Sequence, residues 1–120
     1  MKQKILIVDD DPHILMTLEF LMIKNGYEVL IARNGTEALQ LIEGFAPHLV
    51  LLDIMMPDVN GYDICTHIKS TPSLQDSKVV FMSAKSSEED IQKGHSLGAS
   101  LYIPKPFSTR DLVKKIKEIL

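Results

Sequence analysis

Short apolar runs alternate along the chain with longer segments in which apolar residues recur at helical spacing. The runs are too short for helices and several are rich in β-branched residues, so they predict strands at residues 5–8, 27–31, 49–52, 79–82 and 101–103. The first, third and fourth are continuously hydrophobic, which is typical of parallel strands covered on both faces. Glu28 interrupts the second run, which is therefore predicted to be an edge strand.

Five segments between and after these runs predict helices. The first ends at Gly26, a residue type typical of helix C-termini, and its apolar stripe consists of Ile14, Leu15, Leu18, Leu21 and Met22. Similar spacing occurs in segments 36–43, 62–70 and 111–120. The stripe is thinnest in segment 88–97, where only Ile91 and Leu97 are clearly apolar and Gly94 lies between them. We expect this helix to be weakly anchored.

The order of these elements is five strand–helix units in succession. It predicts an α/β fold with a doubly wound, five-stranded parallel sheet and right-handed crossovers. A length of 120 residues corresponds to one domain, and no linker or low-complexity segment interrupts residues 1–120, so a single domain is expected.

Composition narrows the possible functions. The chain is 45% hydrophobic and 24% charged with a net charge of −3, as in an ordinary globular protein. It has no basic cluster for nucleic acid or anionic lipid and no apolar run long enough to span a membrane, so we expect neither kind of partner. The single cysteine, Cys65, cannot form an intramolecular disulfide, which favours a reducing, cytoplasmic location. Cys65 is expected to be a small core or boundary residue, and the methionines, including Met16, Met22 and Met82, are expected to pack in the core.

Polar residues follow four of the predicted strands, where ligands bind in sheets of this kind. Helix capping is the alternative explanation for each of them. The capping roles, however, are filled by Asp11 before Pro12, by Asn34, by Asn60, by Ser86 with Glu89 and by Ser108 with Asp111. The residues not needed for capping are Asp9, Asp10, Asp53, Ser83 and Lys105.

These five residues form a coherent phosphoryl-transfer site. Converging carboxylates repel one another unless they are protonated or bind a cation, and a few carboxylates with room for water and phosphate suit Mg²⁺. We favour Asp53 as the covalent acceptor, with the paired Asp9 and Asp10 holding the metal. Lys105 would neutralise phosphoryl oxygens, and Ser83 would donate a hydrogen bond to them.

The chain resembles a response-regulator receiver domain of bacterial two-component signalling. The resemblance rests on residues 5–12, 51–57 with Gly61, 82–84, 98–99 and 102–107, which occur in the family's order along the whole chain. It implies a flavodoxin-like fold with strand order 2-1-3-4-5. It also implies a domain that is not a conventional enzyme, in which Asp53 accepts phosphate from a sensor histidine kinase or a histidine phosphotransfer protein.

Further site roles follow from the resemblance alone. It implies that Asp10, Asp53 and the Met55 carbonyl hold Mg²⁺, with Asp9 acting largely through water, and that the Lys105–Pro106 bond is cis. Ser83 and Tyr102 would be the switch that reshapes the face formed by the fourth helix, fifth strand and fifth helix. That face would control an effector protein or a covalently linked output domain.

Three other functions are alternatives for this sequence. A haloacid-dehalogenase-like phosphatase would use an Asp-x-Asp motif, which Asp9–Asp11 matches, but Pro12 and His13 depart from that family's pattern. A phosphate-independent binding module is disfavoured by the complete acid, hydroxyl and lysine set. In a flavodoxin-like redox protein, the flavin phosphate would meet three aspartates where backbone amides are needed. The sequence leaves open whether the chain acts alone or belongs to a larger regulator.

Overall fold

All five predicted strands and all five predicted helices are present in the computed structural model, which describes residues 2–85 and 87–120. The strands are β1 (Lys4–Val8), β2 (Glu28–Ala32), β3 (Leu49–Asp53), β4 (Lys78–Ser83) and β5 (Leu101–Pro104). The helices are α1 (Pro12–Lys24), α2 (Gly35–Phe45), α3 (Gly61–Ser70), α4 (Glu88–Ser96) and α5 (Thr109–Ile119). A short 3₁₀ helix, Pro72–Leu74, lies between α3 and β4 and was not predicted.

The strands form one parallel sheet in the order β2-β1-β3-β4-β5. The predicted fold class and strand order are therefore confirmed, and β2 lies at an edge as expected. In β1, which lies between β2 and β3, Ile7 lies opposite Ile31 on one side and Leu51 on the other.

Helices cover both faces of the sheet, which explains the continuously hydrophobic strands. Leu6 and Val8 point into a core layer shared with α2 and α3, while Ile5 and Ile7 point into a second layer under α1 and α5. All four side chains are fully buried. Alternate residues of one strand thus fill two cores.

Side-chain caps begin each of the five α-helices, four of them at the predicted residue. Asp11, Asn34, Asn60 and Ser108 each accept a hydrogen bond from a backbone N–H in the first turn. The prediction for α4 is wrong by one position, because Ser87 Oγ accepts from the Asp90 N–H at 3.2 Å. Ser86 lies outside the described residues. Ser86 is followed three residues later by Glu89 and Ser87 by Asp90, so both serines match the capping pattern and the sequence does not distinguish them.

α1 buries more of its side chains against the sheet than α4 does. In α1, Leu15, Leu18 and Met22 are buried. The expectation that Met16 packs in the core is wrong, since Met16 is 63% exposed on the outer surface. Within α4 the only buried residue is Gly94, in keeping with its thin apolar stripe. None of the described helices is long and apolar enough to cross a membrane.

Candidate functional site

The polar residues that follow the strands converge at one edge of the sheet. Asp9 directly follows β1, Asp53 and Ser83 are the last residues of β3 and β4, and Lys105 directly follows β5. Because all strands run parallel, their carboxyl ends share this edge. The Lys105 N–H donates to the Ser83 carbonyl at 2.7 Å, which joins the last two strand ends.

Three carboxylates form the floor of the site. Oxygen atoms of Asp9, Asp10 and Asp53 all lie within 4.8 Å of one another. Asp9 is fully buried and Asp53 is 4% exposed, whereas Asp10 faces solvent. An open groove of about 530 Å³ begins at Asp10 and is also lined by Met55. Two of the three carboxylates are therefore buried, and the site is accessible to solvent on the side of Asp10.

Lys105 is paired with two of the acids. Its Nζ lies 2.9 Å from Asp9 Oδ2 and 3.3 Å from Asp53 Oδ1. Burial acts to lower the pKa of Lys105, but the hydrogen bond and charge of Asp9, with the charge of Asp53, outweigh it and raise the pKa. Asp9 Oδ1 also accepts from the Asp11 N–H at 2.9 Å, so the Asp9 carboxylate is held from two sides.

The charges of the pocket do not balance without a further cation. Three carboxylates against one ammonium group leave two negative charges in a partly buried space. Burial, followed by the charge of Asp9, raises the pKa of Asp53 to about 6, although Lys105 acts in the opposite direction. An all-oxygen donor set with a surplus of two negative charges fits a hard divalent cation.

The loop after β3 is fixed by contacts of two residues, Gly61 and Asp58, and Gly61 lies against the Asp53 backbone. The Gly61 N–H donates to the Ile54 carbonyl at 2.8 Å, and a Cβ at Gly61 would lie 2.5 Å from the Asp53 carbonyl oxygen. α3 therefore begins directly against the Asp53 backbone, which only glycine permits.

Asp58 provides the second contact, which no pattern in the sequence predicts. Its carboxylate accepts hydrogen bonds from the N–H groups of Gly35 and Thr36 and from Thr36 Oγ1, at 3.1, 2.8 and 2.6 Å. These bonds, the Thr36 hydroxyl first, lower the pKa of Asp58 well below its usual range. The carboxylate thereby caps α2 from a loop 22 residues away.

Ser83 and Tyr102, the predicted switch pair, are connected through Lys85. The Lys85 N–H donates to Ser83 Oγ at 3.0 Å, and the Tyr102 hydroxyl donates to the Lys85 carbonyl. Tyr102 also packs beside Phe81, with ring centroids 6.2 Å apart, and Phe81 packs edge-on against Tyr62 at 5.4 Å. The predicted cis bond between Lys105 and its following proline is present.

Tyr62 and α4 form a further contact that the sequence did not reveal. Lys93 Nζ lies 4.4 Å from the Tyr62 ring centroid, and Gly94 packs against Phe81 and Tyr102. A Cβ at Gly94 would lie 3.1 Å from a carbon of each ring. α4 is thus held against an aromatic cluster beside the acidic pocket.

Comparison with known proteins agrees with this geometry. A family model of the response regulator receiver domain matches residues 5–117. The chain belongs to the response-regulator receiver family. Receivers are domains of two-component signalling, so the family places the chain among signalling domains.

Solved receiver structures are similar along the whole chain. The chemotaxis protein CheY4 of Vibrio cholerae is 26% identical with a TM-score of 0.94, and the match covers 100% of both chains. A CheY-like receiver domain protein from Methanospirillum hungatei is 35% identical with a TM-score of 0.92, over 99% of this chain and 94% of that chain. DrrB, an OmpR/PhoB homologue from Thermotoga maritima, is 34% identical with a TM-score of 0.89, over 99% of this chain and 52% of that one.

Proposed function

We propose that this receiver accepts a phosphoryl group on Asp53, in a Mg²⁺-dependent reaction with a phosphohistidine donor. The observation that carries the proposal is the placement of Asp53 at the end of β3, with its carboxylate 3.3 Å from Lys105 Nζ and beside two further carboxylates. We expect one phosphoryl group per chain rather than conventional turnover, with residues 1–120 acting as one receiver domain in the cytoplasm.

The metal would be held by Asp10, Asp53 and the Met55 carbonyl, with Asp9 acting through water. When bound, Mg²⁺ would supply positive charge to the transferring phosphoryl oxygens. The fit rests on the oxygen-only donors and the two surplus negative charges of the pocket.

The residues of the chain have separate roles in the transfer. An Asp53 oxygen forms a bond to phosphorus as the phosphorus–nitrogen bond of the donor histidine breaks, and the imidazole leaves with the bonding electrons. Asp53 must be ionised to attack, and with a pKa of about 6 it is mostly ionised at neutral pH. Lys105 is already within reach of the acceptor oxygen and would pair with a phosphoryl oxygen. Ser83 Oγ accepts from the Lys85 N–H, so its own proton can be donated to the phosphoryl group.

Phosphorylation would then switch the surface formed by α4, β5 and α5. Movement of the Ser83 hydroxyl towards the phosphoryl group would displace Lys85, whose N–H donates a hydrogen bond to Ser83 Oγ. The Lys85 carbonyl accepts a hydrogen bond from the Tyr102 hydroxyl, so Tyr102 would be displaced as well. α4 buries only Gly94, so moving it costs few apolar contacts. The reshaped surface would be recognised by an effector protein or by a linked output domain, and the donor would be a sensor histidine kinase or a histidine phosphotransfer protein.

Intact-mass spectrometry tests the acceptor. Acetyl phosphate with Mg²⁺ should add the mass of one phosphoryl group to the parent chain, and removing Mg²⁺ with a chelator should prevent the addition. Asp53→Asn should not be labelled. Asp76 is an exposed carboxylate just before β4, at the amino ends of the strands, so Asp76→Asn should be labelled normally. Labelling that survives Asp53→Asn would exclude Asp53 as the acceptor. An unlabelled parent chain would contradict the function itself.

Amide hydrogen exchange tests the switch. Phosphorylation should change exchange in α4 and leave β1 and β3 unaffected, and the change should be absent in Asp53→Asn. Equal exchange in α4 with and without the phosphoryl group would refute the switching of this surface.

A further inference from the structure

The carboxyl end of α4 is firmly attached to the domain. The Ser100 N–H donates to the Val79 carbonyl of β4 at 2.8 Å, and the Cys65 thiol of α3 donates to the Leu97 carbonyl at 3.5 Å. Leu97 packs against the core layer under α2 and α3, and Ala99 is buried. Backbone hydrogen bonding and apolar packing therefore fix the chain at the end of this helix.

The amino end of α4 has weaker attachments. Residues 88–93 bury no side chain. Ser87 Oγ accepts from the Asp90 N–H and donates to Asp90 Oδ2 at 2.6 Å, so this cap joins α4 only to its own first turn. In the described part of the chain, residues 88–93 are joined to α3 through one side chain, that of Tyr62. The two ends of α4 thus differ in how firmly they are held.

Tyr62 makes two contacts with the amino end of α4. Its hydroxyl donates to the Asp90 carbonyl at 3.4 Å, and its ring centroid lies 4.4 Å from Lys93 Nζ. Positions 90 and 93 are one helical turn apart, so both contacts are on the same side of the helix. Burial, followed by the charges of Tyr102 and Asp90, raises the pKa of Tyr62 to about 12, so the hydroxyl remains a donor at neutral pH.

The Tyr62 ring is itself well supported. It packs edge-on against Phe81 of β4, with ring centroids 5.4 Å apart, and Phe81 is fully buried. The preceding residue, Gly61, lies against the backbone of Asp53, where a Cβ would come within 2.5 Å of the carbonyl oxygen. Tyr62 therefore projects towards α4 from a backbone segment that is fixed beside the acidic pocket.

We propose that Tyr62 is a positioning residue that holds the amino end of α4 in its resting place, through Asp90 and Lys93, and thereby opposes the switch. These two contacts are called the latch below. When they break, α4 turns about its fixed end at residues 97–100. The inference rests on the proposed function for the event that breaks the latch, whereas the resting contacts exist without a phosphoryl group.

The switch residue Tyr102 lies next to the latch. Its ring centroid is 6.2 Å from that of Phe81, the ring that supports Tyr62. A Cβ at Gly94 would lie 3.1 Å from carbons of both Phe81 and Tyr102, so α4 packs closely on these two rings. Movement of Tyr102 would consequently change the packing under Gly94, directly beside Lys93 of the latch.

The latch is strong enough to matter and weak enough to break. A cation over an exposed ring and a single hydrogen bond each change an equilibrium by about two- to fivefold. Tyr62→Leu removes both, so the ratio of released to resting α4 should rise about tenfold. Coupling in switching proteins typically changes affinities by about 5–150-fold, which exceeds this opposition.

NMR relaxation dispersion of the full, unphosphorylated chain tests the latch, because it detects motion on the microsecond-to-millisecond timescale. Tyr62→Leu should increase the exchange contribution of the backbone amides 88–94 by up to about tenfold and leave amides 99–100 unchanged. Tyr62→Phe keeps the ring under Lys93 and should have a smaller effect. Tyr27→Leu is the matched control, since Tyr27 is buried in the other core layer and should not alter α4.

A double-mutant cycle isolates the contact with Lys93. Lys93→Gln should increase the exchange contribution of amides 88–94 about two- to fivefold in the parent chain and have no effect in Tyr62→Leu. Lys114→Gln removes an exposed lysine of α5 and should have no effect in either. If the effects of Lys93→Gln and Tyr62→Leu simply add, the ammonium group does not act through the ring and the proposal is overturned. Unchanged amides 88–94 in Tyr62→Leu would overturn it as well.

The rate of phosphorylation tests whether the latch opposes the switch. Acetyl phosphate with Mg²⁺ should label Tyr62→Leu about two- to tenfold faster than the parent chain, because less energy holds α4 in its resting place. Equal labelling rates, with α4 released, would show that the latch does not oppose the switch. A parent chain that is never labelled would contradict the proposed function, and the NMR experiment, which needs no phosphoryl group, would still decide whether the latch exists.

Discussion

The raised pKa of Asp53 predicts that this carboxylate destabilises the folded protein at neutral pH. The group has an ordinary pKa of 3.8, and in the folded state burial and the charge of Asp9 raise the pKa to about 6. A pKa difference of 1 corresponds to about 1.4 kcal/mol, so ionised Asp53 costs about 3 kcal/mol relative to its neutral form. Asp53→Asn replaces the ionised group by a neutral one of similar shape.

The sign of the pH dependence follows from proton binding. Between pH 3.8 and about 6, the folded state binds more protons at Asp53 than the unfolded state does, so this group makes stability fall as the pH rises through that window. Above that pH window Asp53 is ionised in both states, and its full cost to the free energy of unfolding applies. Without Mg²⁺, Asp53→Asn should therefore exceed the parent chain in free energy of unfolding by about 3 kcal/mol at pH 8, and the two should converge near pH 4.

Urea unfolding at a series of pH values, in buffer free of divalent cations, measures this difference. Asp76→Asn is the matched control, since it removes an exposed carboxylate at the amino ends of the strands and should track the parent chain at every pH. Mg²⁺ should stabilise the parent at pH 8 and narrow its gap to Asp53→Asn. Equal stability of the parent and Asp53→Asn at pH 8, or a gap that does not change with pH, would show that ionisation of Asp53 carries no such cost.

Three further substitutions test contacts around the site. Gly61→Ala should lower the free energy of unfolding by about 2 kcal/mol or more, because the new Cβ would lie 2.5 Å from the Asp53 carbonyl oxygen. Gly44 has open space around it, so Gly44→Ala should be neutral or stabilising in the same urea experiment. Asp58→Asn should lower the thermal midpoint above pH 4, and the deficit should shrink as the pH falls, since the parent then loses the benefit of a carboxylate with a lowered pKa. Gly94→Ala should cost about 1 kcal/mol and shift the ring NMR signals of Tyr102, because its Cβ would crowd two aromatic rings; unchanged signals would contradict that packing.

Local patterns predicted the fold and most of the helix caps. Continuous apolar runs predicted the central strands, because a strand that is buried on both faces tolerates few polar residues. Glu28 predicted the edge strand, because a strand at the edge of the sheet is only partly buried and tolerates a charge. The same logic predicted the site. Parallel topology places all strand carboxyl ends together, so residues that follow strands and are not needed as caps must share an edge.

Features that depend on tertiary packing escaped prediction. Asp58 caps a helix 22 residues before it, and no sequence pattern links the two. The helical spacing of α1 includes Met22 in the apolar stripe and leaves Met16 out of it, so the wrong expectation for Met16 came from residue type alone. The pairing of Asp9 with Lys105 spans 96 residues and likewise depended on the final arrangement of β1 and β5.

The energetic cost of ionised Asp53 and the loose anchoring of α4 both favour a switch. The ionised pocket stores about 3 kcal/mol, and coupling between sites in switching proteins typically amounts to about 1–3 kcal/mol. Under the proposed function, cation binding relieves the repulsion at Asp53, whereas the phosphoryl group adds negative charge to the pocket, so the contacts of that group with the cation, Lys105 and Ser83 would supply the energy of the switch. The resisting element is small, because α4 buries only Gly94 and its neighbouring loop is tied to Ser83 and Tyr102 through Lys85. Under the proposed function, hydrogen bonds from the pocket to the loop that precedes α4, together with a helix that buries only Gly94, would convert a charge change at the carboxyl ends of the strands into a change of surface shape.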